Sequence, residues 1–470
     1  MLRFGQIAGG RVARVLGAVA VVGSAYALIG QYGGAPSWWL AGSGERMPLS
    51  ATFEDKTGFV LVYNADGEMA TRDHAFFSPE GTNGRACITC HQLSNGMSVT
   101  TEKLQERWGE TAGGDPVFAA VDGSNCPTLP QDQRESHSLL LDRGLFRIFQ
   151  PFPAAGVTPD FTVEVVRDPT GCNTSARYGL KAATPMISVF RRPRMVGNMK
   201  YLADGNAFTA DSRNTTLEAQ AIDAVHTHEQ GRNLSAEDLK QIVDFERQLY
   251  VSQGFDNKAG DLTEVGGPQG LGAWQLGRGN VSHTGDAKFL TVSRWTGGNR
   301  EQAAFRASVE RGSAVFSQRQ FTIDQTANLE GAHAQAAKQG TCATCHSERM
   351  TGANTKQAWM DIGTSTLPWS GDDKSLPLFK ITCSANAEPH PYLGRVIYTN
   401  DPGRALVTGK CRDVGSVVMQ QLRGLSARAP YFTGGSAKNL QAVVDYYDRR
   451  FNAHYTAQEK QDLVNFLGVL

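Results

Sequence analysis

Two stretches of the chain carry apolar residues at helical spacing behind the same polar entry signal. SAEDLKQIVDFERQLY (Ser235 to Tyr250) and TAQEKQDLVNFLGVL (Thr456 to Leu470) each open on Ser or Thr and place an acidic residue three positions on. That pairing satisfies the free N–H groups of a first turn, so both stretches predict a helix that begins at the hydroxyl. Shortly before each lies another matching pair, TLEAQAIDAV (Thr216 to Val225) and NLQAVVDYYD (Asn439 to Asp448), again helical in period. Further upstream, Arg194-Met195-Val196-Gly197 echoes Arg423-Gly424-Leu425. The chain therefore reads as one unit used twice, over 45–255 and 300–470. EQAAFRASVERGSAVF (Glu301 to Phe316) predicts an amphipathic helix that opens the second unit. GFVLVYN (Gly58 to Asn64) and FTVEVV (Phe161 to Val166) alternate like short strands. Residues 256–299 are rich in Gly and read as an irregular interdomain segment.

Composition narrows the setting. Lys and Arg together number 46, as do Asp and Glu, so there is no basic field to hold nucleic acid. Residues 1–30 place Arg3, Arg11 and Arg14 ahead of an apolar run from Val15 to Ile29, the layout of an export signal. The run is short for a membrane span, and a cleaved signal or an uncleaved N-terminal anchor both carry the body of the protein out of the cytoplasm, into the periplasm. No later segment reaches the apolar length of a transmembrane helix.

Export changes how the eight cysteines are read. Four fall in CITCH (Cys87 to His91) and CATCH (Cys342 to His346); the others are Cys126, Cys172, Cys383 and Cys411. In an oxidising compartment the second set suggests two disulfides with three connectivities open, of which pairing within each half is the simplest. Buried free thiols are the alternative.

Each CxxCH motif admits three readings. Structural zinc needs four ligands and one tight loop supplies at most three. A dithiol redox site has no use for the histidine and belongs in a βαβ context that is absent here. Covalent haem uses every residue: two thiols add to the porphyrin vinyl groups and the adjoining histidine binds iron. Cys87, Cys90 and His91 then hold one haem c, and Cys342, Cys345 and His346 a second. The expected fold is mainly α, two tandem cytochrome c-like haem domains with long loops and minor β elements.

With both motifs in view, the sequence resembles the bacterial di-haem cytochrome c peroxidase and MauG family. The likeness rests on CITCH, CATCH, DSRNTTLEAQA (Asp211 to Ala221) and LRGLSARAPYFTGGSAKNLQAVVDYYDRR (Leu422 to Arg450). It leaves the Gly-rich segment and much of 92–157 without a counterpart. The resemblance implies that Glu218 is the distal carboxylate over the first haem, where it would take and return the protons of bound peroxide. It implies Tyr447 as the second iron's sixth ligand, with Met419 as the alternative. Met97, Met195, Met199, His137, His226 and His228 are the candidates for a sixth ligand on the first iron.

Departures from the family pattern are equally specific. No tryptophan lies between Trp108 and Trp274, so the indole that relatives place between their haems is missing there, leaving Tyr201 or Phe190 as the expected route for electrons. Thr433 replaces a histidine, and Phe208 stands where a distal Gln would align. Arg428 replaces a Thr whose carbonyl binds an interdomain calcium, a contact that its backbone still offers.

These readings imply reduction of hydrogen peroxide at the first haem with electrons relayed by the second. The donor would be a one-electron carrier such as a small cytochrome or cupredoxin. Two other functions share the motifs: non-catalytic electron transfer, and MauG- or rubber-oxygenase-like use of oxygen on an organic or protein substrate.

Overall fold

The computed structural model describes residues 35–202, 207–263, 271–278, 295, 298–329, 337–347, 351–353 and 359–470. The expected export segment 1–30 and much of the Gly-rich stretch 256–299 lie outside the described residues. No described helix is long and apolar enough to cross a membrane.

The helices that frame the two motifs follow one order. A single turn, α1 (Cys87–Cys90), is followed by α2 (Leu217–His228) and α3 (Ala236–Gln248). In the second half α4 (Arg300–Gln318) leads to the motif turn α5 (Cys342–Cys345), and α6 (Leu440–Phe451) and α7 (Ala457–Gly468) close the chain. Their caps are those the polar pattern predicts. Thr216 accepts from the Ala219 N–H, Ser235 from Asp238, Asn439 from Ala442, and Thr456 forms a reciprocal box with Glu459. Helix α3 stops before Leu249 and Tyr250 because these residues pair with Asn64 and Tyr63 in a sheet.

Strands are more numerous than the alternating runs predict. β1 (Ser50–Glu54) and β2 (Gly58–Asn64) begin an antiparallel sheet; β3 (Phe146–Pro151), β4 (Phe161–Arg167) and β5 (Met186–Arg191) follow. β6 (Leu249–Asp256), β7 (Gly260–Asp261), β8 (Leu378–Cys383) and β9 (Val396–Thr399) complete the main set. The sheets run β1-β2-β6-β7, β9-β8-β4 and β3-β5. In the pairs β2 with β6, β3 with β5 and β8 with β4 the partners are far apart in sequence, so short segments gain a ladder from distant chain.

The two halves do not close separately. β4 of the first half pairs with β8 of the second, from Leu378 opposite Arg167 to Cys383 opposite Phe161. Beneath that sheet Phe161, Ile187, Val189, Phe379, Ile381 and Ile397 form one buried cluster. Disulfides Cys126–Cys172 and Cys383–Cys411, with Cα separations of 5.3 and 5.6 Å, tie down the loops around it. Two further cores each surround one motif. Phe76, Ile88, Leu93, Ile242 and Phe245 pack about CITCH, and Phe316, Ala343, Val444, Leu463 and Phe466 about CATCH.

The second core depends on a close crossing of α4 and α7. A Cβ at Gly312 would lie 2.0 Å from the Asp462 carbonyl oxygen and 2.7 Å from the Phe466 side chain. Arg311 and Ser308 bind the Asp462 carboxylate beside it. Gly312→Ala must push the helices apart, and overpacking of this kind costs about 1–3 kcal/mol. Denaturant unfolding should therefore show the variant less stable by that amount; an unchanged midpoint would mean that the crossing yields freely.

Candidate functional site

Each CxxCH stretch is a one-turn helix held in the same way. The hydroxyl of Thr89 accepts from the Ala86 N–H at 3.1 Å, and that of Thr344 from the Thr341 N–H at 2.9 Å. The His91 N–H returns to the Cys87 carbonyl and the His346 N–H to the Cys342 carbonyl. The middle residues of the motif thus lock a turn that presents both cysteines and the histidine together.

A matched loop then orients each imidazole. Gln92 donates to the Ser98 carbonyl and Met97 donates back to Gln92; in the second copy Ser347 donates to Ala353 and Gly352 to Ser347. The tight return needs positive φ, +61° at Met97 and +102° at Gly352. His91 Nδ1 lies 3.1 Å from the Met97 carbonyl oxygen, and His346 Nδ1 lies 2.6 Å from that of Gly352. A carbonyl only accepts, so the proton sits on Nδ1 and the Nε2 lone pair is left for a metal. Burial pushes the His91 imidazole down to about 4, and that of His346 down as well, which keeps both rings neutral as ligands must be.

The two turns open onto two cavities of different character. Around Cys342, Cys345 and His346 the walls are largely apolar, with Phe316, Phe321, Met360, Val444, Leu463 and Leu467. Around Cys87, Cys90 and His91 charged and polar groups intrude: Arg85, Asp122, Arg194, Arg213, His228, Glu229 and Glu246. Here Asp122 is buried between Arg85 and His228, one carboxylate oxygen to each. Burial alone would raise that carboxyl; the Arg85 charge and the His228 contact outweigh it and hold it below its ordinary range.

The repeat makes the contrast specific. Counted from the N-caps Thr216 and Asn439, Ala224 and Tyr447 occupy the same position, and so do His228 and Phe451. Counted from Ser235 and Thr456, Glu246 matches Leu467. All six line their cavities. The same helical frame therefore carries a phenol in one cavity and a methyl in the other. It also exchanges two apolar walls for an imidazole and a carboxyl.

The expected site residues divide accordingly. Tyr447 faces His346 across the cavity, ring centroids 6.4 Å apart and planes at 77°, and Met419 lines the same cavity. Burial pushes the Tyr447 phenol upward, so in the absence of a metal it keeps its proton. Glu218 is a correction. Helix α2 turns Gln220, Ala221, Ala224 and His228 inward, and Glu218 falls roughly 100° round the helix from that face. Its side chain is 46% exposed and 4.0 Å from Arg247. The acids on the cavity wall are Asp122, Glu229 and Glu246, of which Glu246 stands where the closing helix of the second half carries an apolar residue.

Among the six ligand candidates for the first motif, only Met199 and His228 line its cavity. Met97 and Met195 are core residues, and Met97 serves through its carbonyl instead. Both ring nitrogens of His137 meet carbonyls, of Gly123 and Gln131, and His226 is exposed beside Asn233. Phe208 and Thr433 each line a cavity. Tyr201 and Phe190 line neither; the segment common to both walls is Arg192–Pro193. That segment follows directly on the end of β5.

Two cysteines, a histidine whose Nδ1 is bound to a carbonyl and an adjoining cavity are a donor set that fits a covalently attached porphyrin at each motif. Among the described residues no group of three or more His, Cys, Asp or Glu side chains could hold a metal ion by itself.

No family model matches the chain. It is 27% identical over 202 residues to the cytochrome-c peroxidase IdrP1 of Pseudomonas sp. (strain SCT), a match over 39% of this chain and 45% of that protein. The chain thus matches somewhat under half the length of that relative. Among solved structures, the hydrazine synthase of Kuenenia stuttgartiensis overlaps 79% of this chain and 93% of its own at 15% identity, with a TM-score of 0.33.

Glu246 makes the site sensitive to pH. Burial, and then the charge of Glu218, raise its carboxyl to about 8, and one of its oxygens is buried without a hydrogen-bond partner. The folded state therefore holds a proton that the unfolded chain releases above about pH 4.5, so stability from this group falls as pH rises toward 8. The slope is at most about 1.4 kcal/mol per pH unit. Glu246→Gln should flatten the loss of stability between pH 5 and 8 relative to the parent protein; parallel unfolding curves would show that the carboxyl ionises normally.

Proposed function

We propose that the chain is an exported di-haem c-type oxidoreductase that reduces hydrogen peroxide at the CITCH haem with electrons relayed by the CATCH haem. One observation carries the reading: the same pair of helices places Tyr447 over the second motif and Ala224 over the first. With porphyrins bound, the Tyr447 phenol could supply a ligand to the second iron, where the Ala224 methyl would offer the first none. The resemblance to cytochrome-c peroxidase IdrP1 supports the same reaction class.

Cys87 and Cys90 would hold the first porphyrin and Cys342 and Cys345 the second, with His91 and His346 as their proximal ligands. Bound haem supplies one-electron redox chemistry and, at an open axial position, a place for peroxide. Tyr447 would bind the second iron opposite His346, with Met419 as the alternative on the same wall. At the first site the chain's own task is protons: converting one peroxide to two waters consumes two electrons and two protons. Glu246, neutral at pH 7 and buried, is a proton donor poised in the cavity. His228, gripped through Nδ1 by Asp122, turns its other nitrogen to solvent and cavity and can resupply it.

Residues 1–30 would direct the chain to the periplasm, where a small cytochrome or cupredoxin is the natural one-electron donor. The Arg428 carbonyl, the expected calcium contact, already accepts from the Arg192 guanidinium at 3.1 Å. An interdomain calcium is therefore no part of this reading.

The test is peroxide-dependent oxidation of a reduced one-electron donor by the holoprotein, with cyanide binding followed in the oxidised and half-reduced states. One iron should take cyanide in at least one of these states. Ala224→Tyr should abolish both cyanide binding and turnover while both haems stay attached. Glu246→Gln should lower kcat/KM for peroxide by about 10² to 10⁴-fold and still bind cyanide, and Glu218→Gln should leave turnover near that of the parent. If neither iron of the parent protein admits an external ligand, the chain is an electron carrier and the enzymatic reading fails.

A further inference from the structure

Three arginines stand in the partition between the two cavities with no acid to meet them. Arg192 and Arg428 are each 8% exposed. Arg192 lines both cavities, Arg194 the first and Arg428 the second. Their guanidinium groups donate only to backbone carbonyls. Arg192 reaches Val99 at 2.5 Å and Arg428 at 3.1 Å; Arg194 reaches Val418 at 3.0 Å and Met419 at 3.1 Å; Arg428 reaches the 421–424 turn. No described carboxylate lies within ion-pair distance of any of the three.

Two buried arginines nearby meet carboxylates, whereas Arg147 donates only to the Val121 carbonyl and the Ser188 hydroxyl. Arg191, one position before Arg192, is clamped between Asp211 and Asp401, and Arg85 meets Asp122. Three concentrated charges without counter-ions are costly, because carbonyl dipoles replace only part of the lost hydration. Burial and mutual repulsion pull Arg192 down to about 9, which marks the same shortage of negative charge. Something anionic must complete the partition.

We propose that Arg192, Arg194 and Arg428 form one carboxylate-binding site shared by the two cavities, and that its ligands are the propionate groups of the two porphyrins. The proposal rests on the two-haem reading above. A porphyrin tethered at its vinyl edge by a CxxCH turn carries its propionates on the far edge of the ring, and the cavities of the two motifs share the wall on which Arg192 stands. Arg192 then binds a carboxylate from each side, with Arg194 adding to the first and Arg428 to the second. Charge-assisted, bidentate contacts of this kind suit guanidinium in particular. The arrangement brings the two porphyrin edges to one hydrogen-bonded residue, and so supplies the path between them that no aromatic side chain on these walls provides.

The experiment is a spectroelectrochemical titration of the holoprotein and of single variants, after the haem content of each is measured. Removing a cation beside a propionate favours the oxidised haem. Arg192→Gln should lower the reduction potentials of both haems, Arg194→Gln only that of the first and Arg428→Gln only that of the second. Arg192→Lys should restore most of the shift, and the carboxylate bands of the redox difference infrared spectrum should move with each Gln variant. A merely structural role would alter unfolding midpoints without this one-both-one pattern. Should Arg192→Gln fail to fold, the Arg194 and Arg428 variants still give opposite selectivity or refute it. Two haems with potentials indifferent to all three changes would overturn the proposal; a protein that lacks two haems would overturn the reading beneath it.

Discussion

The bond from each motif histidine to a carbonyl six residues on is the constraint that the rest of the molecule serves. It fixes the ring, chooses which nitrogen keeps its proton, and turns the remaining lone pair into a cavity. That bond exists only because the ends of each loop close alike, Gln92 on Ser98 and Ser347 on Ala353, with positive φ at Met97 and Gly352. The helical turns, caps and paired strands around each loop hold its ends in place. A pre-oriented ligand of this kind tunes whatever metal it receives.

Duplication then allows divergence. Once two identical frames exist, one can lose a function that the other keeps. Ala224 for Tyr447, Glu246 for Leu467 and His228 for Phe451 replace a phenol and two apolar walls by a methyl, a carboxyl and an imidazole. The cost is a buried carboxyl whose ionisation is suppressed and a buried Arg85–Asp122 pair, features that destabilise a core and are retained where chemistry requires them. The halves are not free to separate, because β4 and β8 share a sheet and Arg192 stands in both cavity walls.

Much of this frame was legible in the sequence. The CxxCH motifs pointed to the two turns and their histidines, and the hydroxyl caps at Thr216, Ser235 and Thr456 set helix starts because capping is local. Glu218 was misplaced because a motif match ignores helical phase; the buried stripe of the closing helix, Ile242 to Glu246, held the better signal in a charge where an apolar residue belongs. The carbonyl partners of His91 and His346 were invisible, since any residue supplies a carbonyl. The pairing of β4 with β8 spans more than two hundred positions, and neither strand's pattern specifies a partner. Arg192 carries no distinguishing signal in the sequence; its burial and its place between the cavities come from the fold.

The central claim is that this repeated frame is built around two covalently attached haems. The intact mass of protein produced with a cytochrome c maturation system, before and after extraction in acidified acetone, tests it most directly. The account predicts a mass equal to the chain plus two haems, unchanged by extraction, with the loss of one haem when both Cys87 and Cys90 are replaced by Ala. A chain that carries no haem through extraction, or that binds zinc at these cysteines instead, would contradict it.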